Sequence, residues 1–329
     1  MTGSLSPAAL HDEIVRLTAT LPHHSDPRDA DELLVLLRLL HATGRRDLPL
    51  GRLFEGHVDA GQIIRRYGTP GQAPPAGAVL GVWNADLPGE PPRLTRDGGA
   101  WRLSGAKAYA SGSGILSHAL IGSDGEGGRQ LVLLDLAAVP PAIDRSWWRV
   151  IGMQRSETHV VRWVDAAVPG AALIGAAGDY AREPFLSGGA LRFVAVQAGG
   201  VAGLFDRVRD HLVATGRAAD PHQAGRLAEL FALAEGIAGV VRDTARRWFA
   251  EGDEARLPRV SAARAAVLAA GERAVMVAEA AVGLPGMFVD HPLSATIADL
   301  SVYLRQPMPD AQRMRVAAAA AAGLLVPEL

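Results

Sequence analysis

The chain has 329 residues, 49% hydrophobic and 21% charged, the make-up of a globular protein with room for two or three domains. Its net charge of −2 gives no global electrostatic case for nucleic acid or an anionic membrane. The absence of cysteine excludes disulfides, thiolate metal sites and cysteine nucleophiles. No basic stretch leads into an apolar run near the start, so no signal peptide is read and a cytoplasmic location is expected.

Along the chain, residues 8 to 68 read as helices. Ala30-Asp31-Glu32 opens a run with Leu33, Leu34, Leu36, Leu37, Leu39 and Leu40, a wide apolar face at helical spacing. A Gly-Arg-Arg-Asp-Leu-Pro turn follows, then a second helix from Gly51 to Tyr67. Residues 69 to 78 are rich in Pro, Gly and Ala, the signature of a linker. From 79 to about 178 the pattern is that of strands: Val79 to Trp83, Trp101 to Leu103, His118 to Ile121, Gln130 to Leu134 and His159 to Val164, split by turns. No helix-length segment intervenes, which predicts an antiparallel barrel or sandwich. From Pro184 the helical period returns, in Leu186 to Leu212, His222 to Phe249, Ser261 to Val282, Leu293 to Leu304 and Asp310 to Leu325. The breaks carry Gly216 with Asp220-Pro221, Gly252 with Pro258, and Gly283 with Pro285-Gly286. Long helices with short connections predict a four-helix bundle. The apolar stretch Val316 to Val326 is too short to span a bilayer, so no membrane insertion is expected.

Two segments carry the most information. The first is Gly98-Gly99-Ala100-Trp101-Arg102-Leu103-Ser104-Gly105-Ala106-Lys107-Ala108-Tyr109-Ala110-Ser111-Gly112. The second is Gly152-Met153-Gln154-Arg155-Ser156-Glu157-Thr158, followed by Val160 to Asp165 and Val168-Pro169. In this order they resemble the flavin-binding β domain of the acyl-CoA dehydrogenase family, W-x-L-x-G-x-K-x-[WY]-[IA]-[TS] and then G-x-x-x-S-x-T-x-x-V-x-F-x-D-V-x-V-P. The helix, β, helix order matches that family over most of the chain, with a shorter front. The resemblance implies an α+β fold: N-terminal helices over 1–74, a central antiparallel β domain over 75–178 and a C-terminal four-helix bundle over 179–329. It also implies FAD as cofactor and assembly as a homodimer or homotetramer, or a heteromer with a paralogue.

Within the resemblance, Tyr109, Ala110 and Ser111 fall where the family packs an aromatic and backbone donors at the isoalloxazine ring. A flat apolar wall with a few fixed donors is what a flavin needs. Taken alone, the segment reads equally as a hairpin with an ordinary cross-strand tyrosine. Trp83 and Asn84 fall at the family's earlier flavin contact, with different wording. Arg217 matches an arginine that reaches the cofactor of a neighbouring subunit, and its planar, permanent charge suits phosphate. Gly283 and Gly286 match a glycine-rich turn near the same cofactor. Without the family, Arg217 is a solvated loop charge and the glycines are helix caps.

The catalytic base is where the resemblance fails. The family removes an α-proton of an acyl thioester with a glutamate. Matching on Asp299 puts that glutamate at or near Pro307, which offers neither carboxylate nor N–H. Arg305, Gln306 and Met308 do not replace it. The family's second position for the base falls at Leu191, before Arg192. Glu55 and Glu157 are the remaining candidates. Glu55 is two residues from His57 on a helix, so the two should point to different sides, with at least one on the surface. Glu157 reads either as a flavin-facing edge or as a solvated strand end. Asp290-His291-Pro292 reads as a helix-capping turn, and His23-His24 as an isolated pair in a polar loop. No metal-ligand spacing, P-loop or dinucleotide fingerprint is present. Three functions follow: a dehydrogenase acting on an acyl thioester or related small molecule with a relocated base, a flavin monooxygenase on the same fold, or a non-catalytic subunit of a heteromeric acyl-CoA dehydrogenase.

Overall fold

The computed structural model describes residues 5–20, 26–305 and 308–327. In chain order come α1 (Pro7–Ala19), α2 (Ala30–Arg46), α3 (Leu48–Tyr67), β1 (Leu80–Trp83), β2 (Arg93–Asp97), β3 (Ala100–Ala110), β4 (His118–Gly125), β5 (Gly128–Asp135), β6 (Ala142–Asp144), β7 (His159–Val168), β8 (Leu173–Ile174), α4 (Phe185–Gly188), α5 (Ala190–Ala214), α6 (Pro221–Trp248), α7 (Asp253–Val282), α8 (Pro292–Tyr303) and α9 (Pro309–Ala321). Two compact units result. A β unit takes Met1–Asp26, Arg52–Arg149 and Gln154–Arg182, and a helical unit takes Pro27–Gly51, Val150–Met153 and Glu183–Leu329.

The β unit is built on a sheet with the order β6-β7-β3-β2-β4-β5-β8, and β1 also pairs with β4. Most pairings are antiparallel, as expected, but β1 and β2 both run parallel to β4. The reason is connectivity: the β2–β3 hairpin lies between β1 and β4 in the chain, so β4 returns in the direction of β1. The strands β2 and β6 escape sequence patterning because they are short and mostly polar or exposed, and β8 because it is only two residues long. Ala60, Ile63 and Ile64, at helical spacing on α3, pack on Leu80, Leu120, Leu131 and Ile174 of the sheet. The expected linker contains a single turn, Pro70–Gln72, closed by a capping box between Thr69 and Gln72.

In the helical unit, Asp29 caps α2 by accepting from the Glu32 N–H at 2.9 Å. Asp47 alone separates α2 from α3, because its side chain accepts from the Leu50 N–H at 2.9 Å and starts the next helix at once. The apolar face of α2 lies along α5. A Cβ on Gly44 would stand 2.2 Å from Val196 O, and one on Gly199 would stand 2.0 Å from His41 O. Only glycine permits this backbone-to-backbone crossing. Arg45 clamps the crossing through two bonds to Asp206 at 2.5 and 2.7 Å. Arg207 donates to Arg46 O at 3.1 Å, satisfying an end carbonyl of α2.

The long helices α5, α6 and α7 pack on one another, with α8 on α5 and α9 on α7. The sequence places the start of α7 at Ser261, with Pro258 as a stop. Instead α7 begins at Asp253 and runs through Pro258. Pro258 sits in the second turn, where it forfeits one backbone bond, and Asp253 and Glu254 in the first turn favour the helix dipole. The segment Phe185–Ala214 is long and apolar enough to cross a membrane, but 72% of its most apolar window is buried in the protein. It is the core helix of this unit.

Candidate cofactor site

In the β unit the two informative segments lie side by side. Strands β3 and β7 pair from Trp101–Val168 to Ala110–His159, with irregular register on both sides of Gly105–Lys107. At the end of β3 the chain turns sharply: Tyr109 has φ 53° and Gly112 φ 76°, and across from them Glu157 has φ 44°. A left-handed tyrosine and a left-handed glutamate are unusual and persist only where the surroundings hold them. Here Gly112 N–H donates to Ser156 O at 2.8 Å, and Ser113 N–H and O–H donate to Glu157 O at 3.1 and 3.0 Å.

A chain of hydroxyls completes the seam. Ser156 and Thr158 are 2.7 Å apart, and Thr158 donates to Ser111 Oγ at 3.0 Å. Each hydroxyl has one proton, so Ser156 donates to Thr158, Thr158 to Ser111, and the Ser111 proton remains for a further acceptor. Ser111 is half-buried and lines a small cleft with Arg52, Leu53, Gly56, Gly81 and Val82.

Trp83 is 1% exposed, and its indole N–H donates to Ser111 O at 2.8 Å, so it holds the seam from beneath. Asn84 is exposed; its carbonyl accepts from Lys107 and Arg129, both at 3.2 Å, and its amide makes no hydrogen bond among the described residues. Ala110 is buried in the strand. Tyr109 is 58% exposed and stands edge-on to Trp147, with ring centres 4.8 Å apart, and to Trp148 at 6.3 Å. The two tryptophans stack on each other at 6.1 Å and 22°. Sequence reading missed this aromatic cluster; the doublet Trp147-Trp148, in a loop outside every strand run, was its only visible signal.

Lys107 of the same motif is fully buried and donates to Asp86 at 2.6 Å. Arg129 also holds Asp86, at 2.8 and 2.9 Å, and reaches Asp124 at 3.1 Å. Burial pushes the Lys107 ammonium down to about 8 despite the Asp86 bond. Burial acts to raise Asp86, but its bonds to Arg129 and Lys107 outweigh this and hold it below the usual carboxylate range.

The acid candidates are both engaged. Glu157 is ion-paired to Arg145 and lies 3.2 Å from His159 Nε2. Glu55 accepts from Arg52 at 2.5 Å. The sequence places at least one of Glu55 and His57 on the surface, yet they are 7% and 5% exposed. The helix α3 is covered on more than its sheet-facing side: His57 Nδ1 accepts from the Leu80 N–H at 3.1 Å while Nε2 lies 3.0 Å from Thr18 Oγ1. With Nδ1 accepting, the proton sits on Nε2 and is donated to Thr18, so His57 is a neutral strut.

The remaining candidates belong to the helical unit. Asp299 of α8 accepts from the Met153 N–H at 2.5 Å. A Cβ on Gly152 would stand 2.1 Å from Ala298 O, so the glycine of the second motif is required for close approach to α8. Leu191 is buried in α5. Pro307 lies outside the described residues, as do His23 and His24. His291 caps α8, accepting from the Leu293 N–H at 3.1 Å, and its Nε2 is 3.2 Å from His211 Nδ1.

Arg217 follows Gly216 in the α5–α6 turn, where its N–H donates to Leu212 O at 2.8 Å. With the Gln223 amide nitrogen on Ala281 O at 3.2 Å, its oxygen accepts from Arg217 at 2.6 Å and from Arg226 at 3.1 Å. Gln223 therefore ties the Arg217 turn to the end of α7, two residues before Gly283. Gly283 has φ 72° and ends α7; Gly286 packs tightly on Val282 and Leu293. Among the described residues neither Arg217 nor Arg226 pairs with a carboxylate. The nearby Asp220 is committed to the N–H groups of His222 and Gln223, at 2.9 and 3.1 Å. No group of three or more metal-ligating side chains occurs among the described residues.

No family model and no curated protein matches the sequence. Solved structures do. The chain is similar to TdsC from Paenibacillus sp. A11-2 in complex with FMN and indole, with 16% identity and a TM-score of 0.81 over 97% of this chain and 91% of that one. It is similar to butyryl-CoA dehydrogenase from Megasphaera elsdenii, with 14% identity and a TM-score of 0.78 over 95% and 89%. The chain has the acyl-CoA dehydrogenase fold. KijD3, in complex with FMN and a dTDP-linked amino keto sugar, is a further example, with 18% identity and a TM-score of 0.77 over 98% of this chain and 87% of that one. The acyl-CoA dehydrogenase fold thus carries more than one chemistry, and its presence here leaves the reaction to be argued from the residues.

Proposed function

We propose that this chain is a flavin-dependent oxidoreductase of the monooxygenase type, acting on a small molecule. The flavin reading is supported by the β3–β7 seam. Tyr109 offers a flat exposed wall, Ser111 an oriented hydroxyl proton and Asn84 an uncommitted amide, the donor set a flavin ring requires. Two fold neighbours, TdsC and KijD3, are seen with FMN, which supports a flavin, as FMN or FAD, in this reading. Bound flavin supplies two-electron chemistry, accepting hydride or, once reduced, passing electrons to oxygen. In this reading Ala110 contributes backbone, Trp83 positions Ser111, and Arg217, tied through Gln223 to the end of α7 just before Gly283 and Gly286, holds the phosphate of a flavin carried by a second copy.

The observation that carries the reaction type is the state of the carboxylates. Leu191 is a buried leucine, and the sequence from Ser301 to Pro309 contains no acid. Glu55 and Glu157, the remaining candidates, are held in ion pairs with Arg52 and Arg145. A general base must be free to reach its proton, and removal of one costs about 10²–10⁴-fold. Oxygen transfer needs no such carboxylate, and TdsC is a dibenzothiophene monooxygenase.

Anaerobic stopped-flow with straight and branched acyl-CoAs tests the reading. The flavin should bleach slowly or not at all, while external reduction followed by oxygen should give turnover of another substrate. Fast bleaching would restore the thioester dehydrogenase, with Glu55 and Glu157 the first residues to replace. Bleaching that becomes fast only on adding a paralogous chain would favour the heteromeric subunit.

A further inference from the structure

Within the helical unit, His211 lies in the last turn of α5, just before the Arg217 turn that leads into α6, and His291 caps the start of α8. The two imidazoles meet, with ring centres 5.2 Å apart and planes at 66°. Neither ring forms an ion pair with a carboxylate among the described residues, and no third ligand stands with them to make a metal site there.

The hydrogen bonds fix where the protons are. His291 Nδ1 accepts from the Leu293 N–H at 3.1 Å, so its own proton is on Nε2. That proton meets His211 Nδ1, 3.2 Å away, which must accept it. His211 therefore carries its proton on Nε2 and is neutral. A second proton on His211 would have to enter at Nδ1, against the N–H of His291. To keep the bond, His291 would have to move its proton to Nδ1 and give up the Leu293 N–H of the α8 cap.

The charged groups acting on His211 are His291 across the bond and Arg217 in the turn, whose N–H is anchored on Leu212 O, the carbonyl next to His211. Burial, then His291, then Arg217 hold the imidazole below its ordinary value. Arg226 of α6 shares the Gln223 oxygen with Arg217, so a second permanent charge stands with the first, while α7 brings Ala281 O to the Gln223 nitrogen. An anion held by the two arginines reverses this balance: it cancels their repulsion and favours a protonated ring beside it.

We propose that His211 is a further binding residue for the phosphate at Arg217, taking up a proton as the anion arrives, and that His291 holds it neutral until then. The identity of the ligand rests on the flavin reading; the coupling of anion to proton does not. By linkage, an anion that makes His211 easier to protonate binds more tightly where the ring is already protonated. Affinity should therefore rise as the pH falls through the histidine range, from about 8 to about 6.

The flavin probe is FAD, whose diphosphate keeps its charge over this range, with riboflavin, which has no phosphate, as the control. Sulfate is the probe that needs no flavin. Proton NMR of the full chain follows the His211 ring, its signal assigned by its loss in His211→Gln. Sulfate should raise the midpoint of the His211 titration. FAD should bind about threefold to tenfold more tightly near pH 6 than near pH 8, and riboflavin equally at both. His211→Gln should flatten the FAD profile. His291→Asn, which keeps a capping side chain for α8, should move the rise in affinity to higher pH, because the imidazole N–H that opposes the second proton is gone. Far-UV circular dichroism checks that each variant is folded. An FAD profile as steep in His211→Gln as in the unaltered chain, or a His211 midpoint that ignores sulfate and FAD alike, would overturn the role. A chain that takes up no flavin, but whose His211 midpoint still rises with sulfate, would leave the role standing and remove the flavin reading instead.

Discussion

In the β unit the buried Lys107 meets Asp86, which meets Arg129, which meets Asp124, so each charge has an opposite partner. In the helical unit Arg217 and Arg226 share one neutral acceptor, the Gln223 oxygen, and Asp220 of the same turn is spent on backbone N–H groups. Cations matched to carboxylates hold a fold together and present nothing outward. Cations gathered on an amide keep their charge available to an incoming anion. In the proposed reading the flavin ring falls to Tyr109 and the hydroxyls of the β3–β7 seam, and the phosphate to the Arg217 cluster.

The strongest way to break this contrast is to remove Asp86. Asp86→Ala leaves a fully buried Lys107 beside Arg129, and an uncompensated buried charge costs about 3 kcal/mol or more of stability by urea unfolding. A loss below about 1 kcal/mol would show that the cluster is not structural.

The same cluster sets a pH dependence. Lys107 titrates near 8 when folded, below its unfolded value of 10.5, so the folded chain releases the proton first as pH rises. The unfolded chain then binds more protons, and stability climbs between about pH 8 and 10.5. In Asp86→Ala that climb should begin at lower pH. Lys107→Met should abolish it, and unfolding midpoints across this range read both effects.

Next in size is Arg217→Ala, which should weaken flavin retention about tenfold to a hundredfold through loss of a charged phosphate contact. Stable flavin occupancy in a monomer would end that assignment. Ser111→Ala should weaken flavin only about threefold to tenfold, as a neutral hydroxyl donor does. If Ser111→Ala proved the costlier of the two, the division between ring site and phosphate site would be reversed. The smallest expected effect is Thr158→Val, which removes one link of the hydroxyl chain at about 1 kcal/mol of stability, with a change in the flavin spectrum as the second readout.

The helices and the longer strands were legible because their apolar spacing is regular and their ends carry Gly, Pro and Asp. The Tyr109 and Gly152 segments were legible as motifs, but what joins them was not. The Ser156–Thr158–Ser111 relay depends on strand register, which no single segment encodes. The aromatic corner depends on a loop with no periodicity. Glu55 and His57 misled because the helical wheel separates their directions but cannot say that α3 is covered on both. The Lys107–Asp86 pair was hidden because its members stand 21 positions apart, and burial of a lysine is not a pattern.

The glycine crossing of α2 on α5 carries a consequence in time. Its two sides are separated by about 150 residues, most of which belong to the other compact unit. At a synthesis rate of about 5–20 residues per second, the leucine face of α2 has no partner for roughly 10–30 s after it leaves the ribosome. During that interval the chain carries an apolar helix that nothing in its own sequence can yet cover. The yield of folded protein in a cell should therefore depend on whether that helix is shielded in the meantime, a sensitivity that refolding of the finished chain would not reveal.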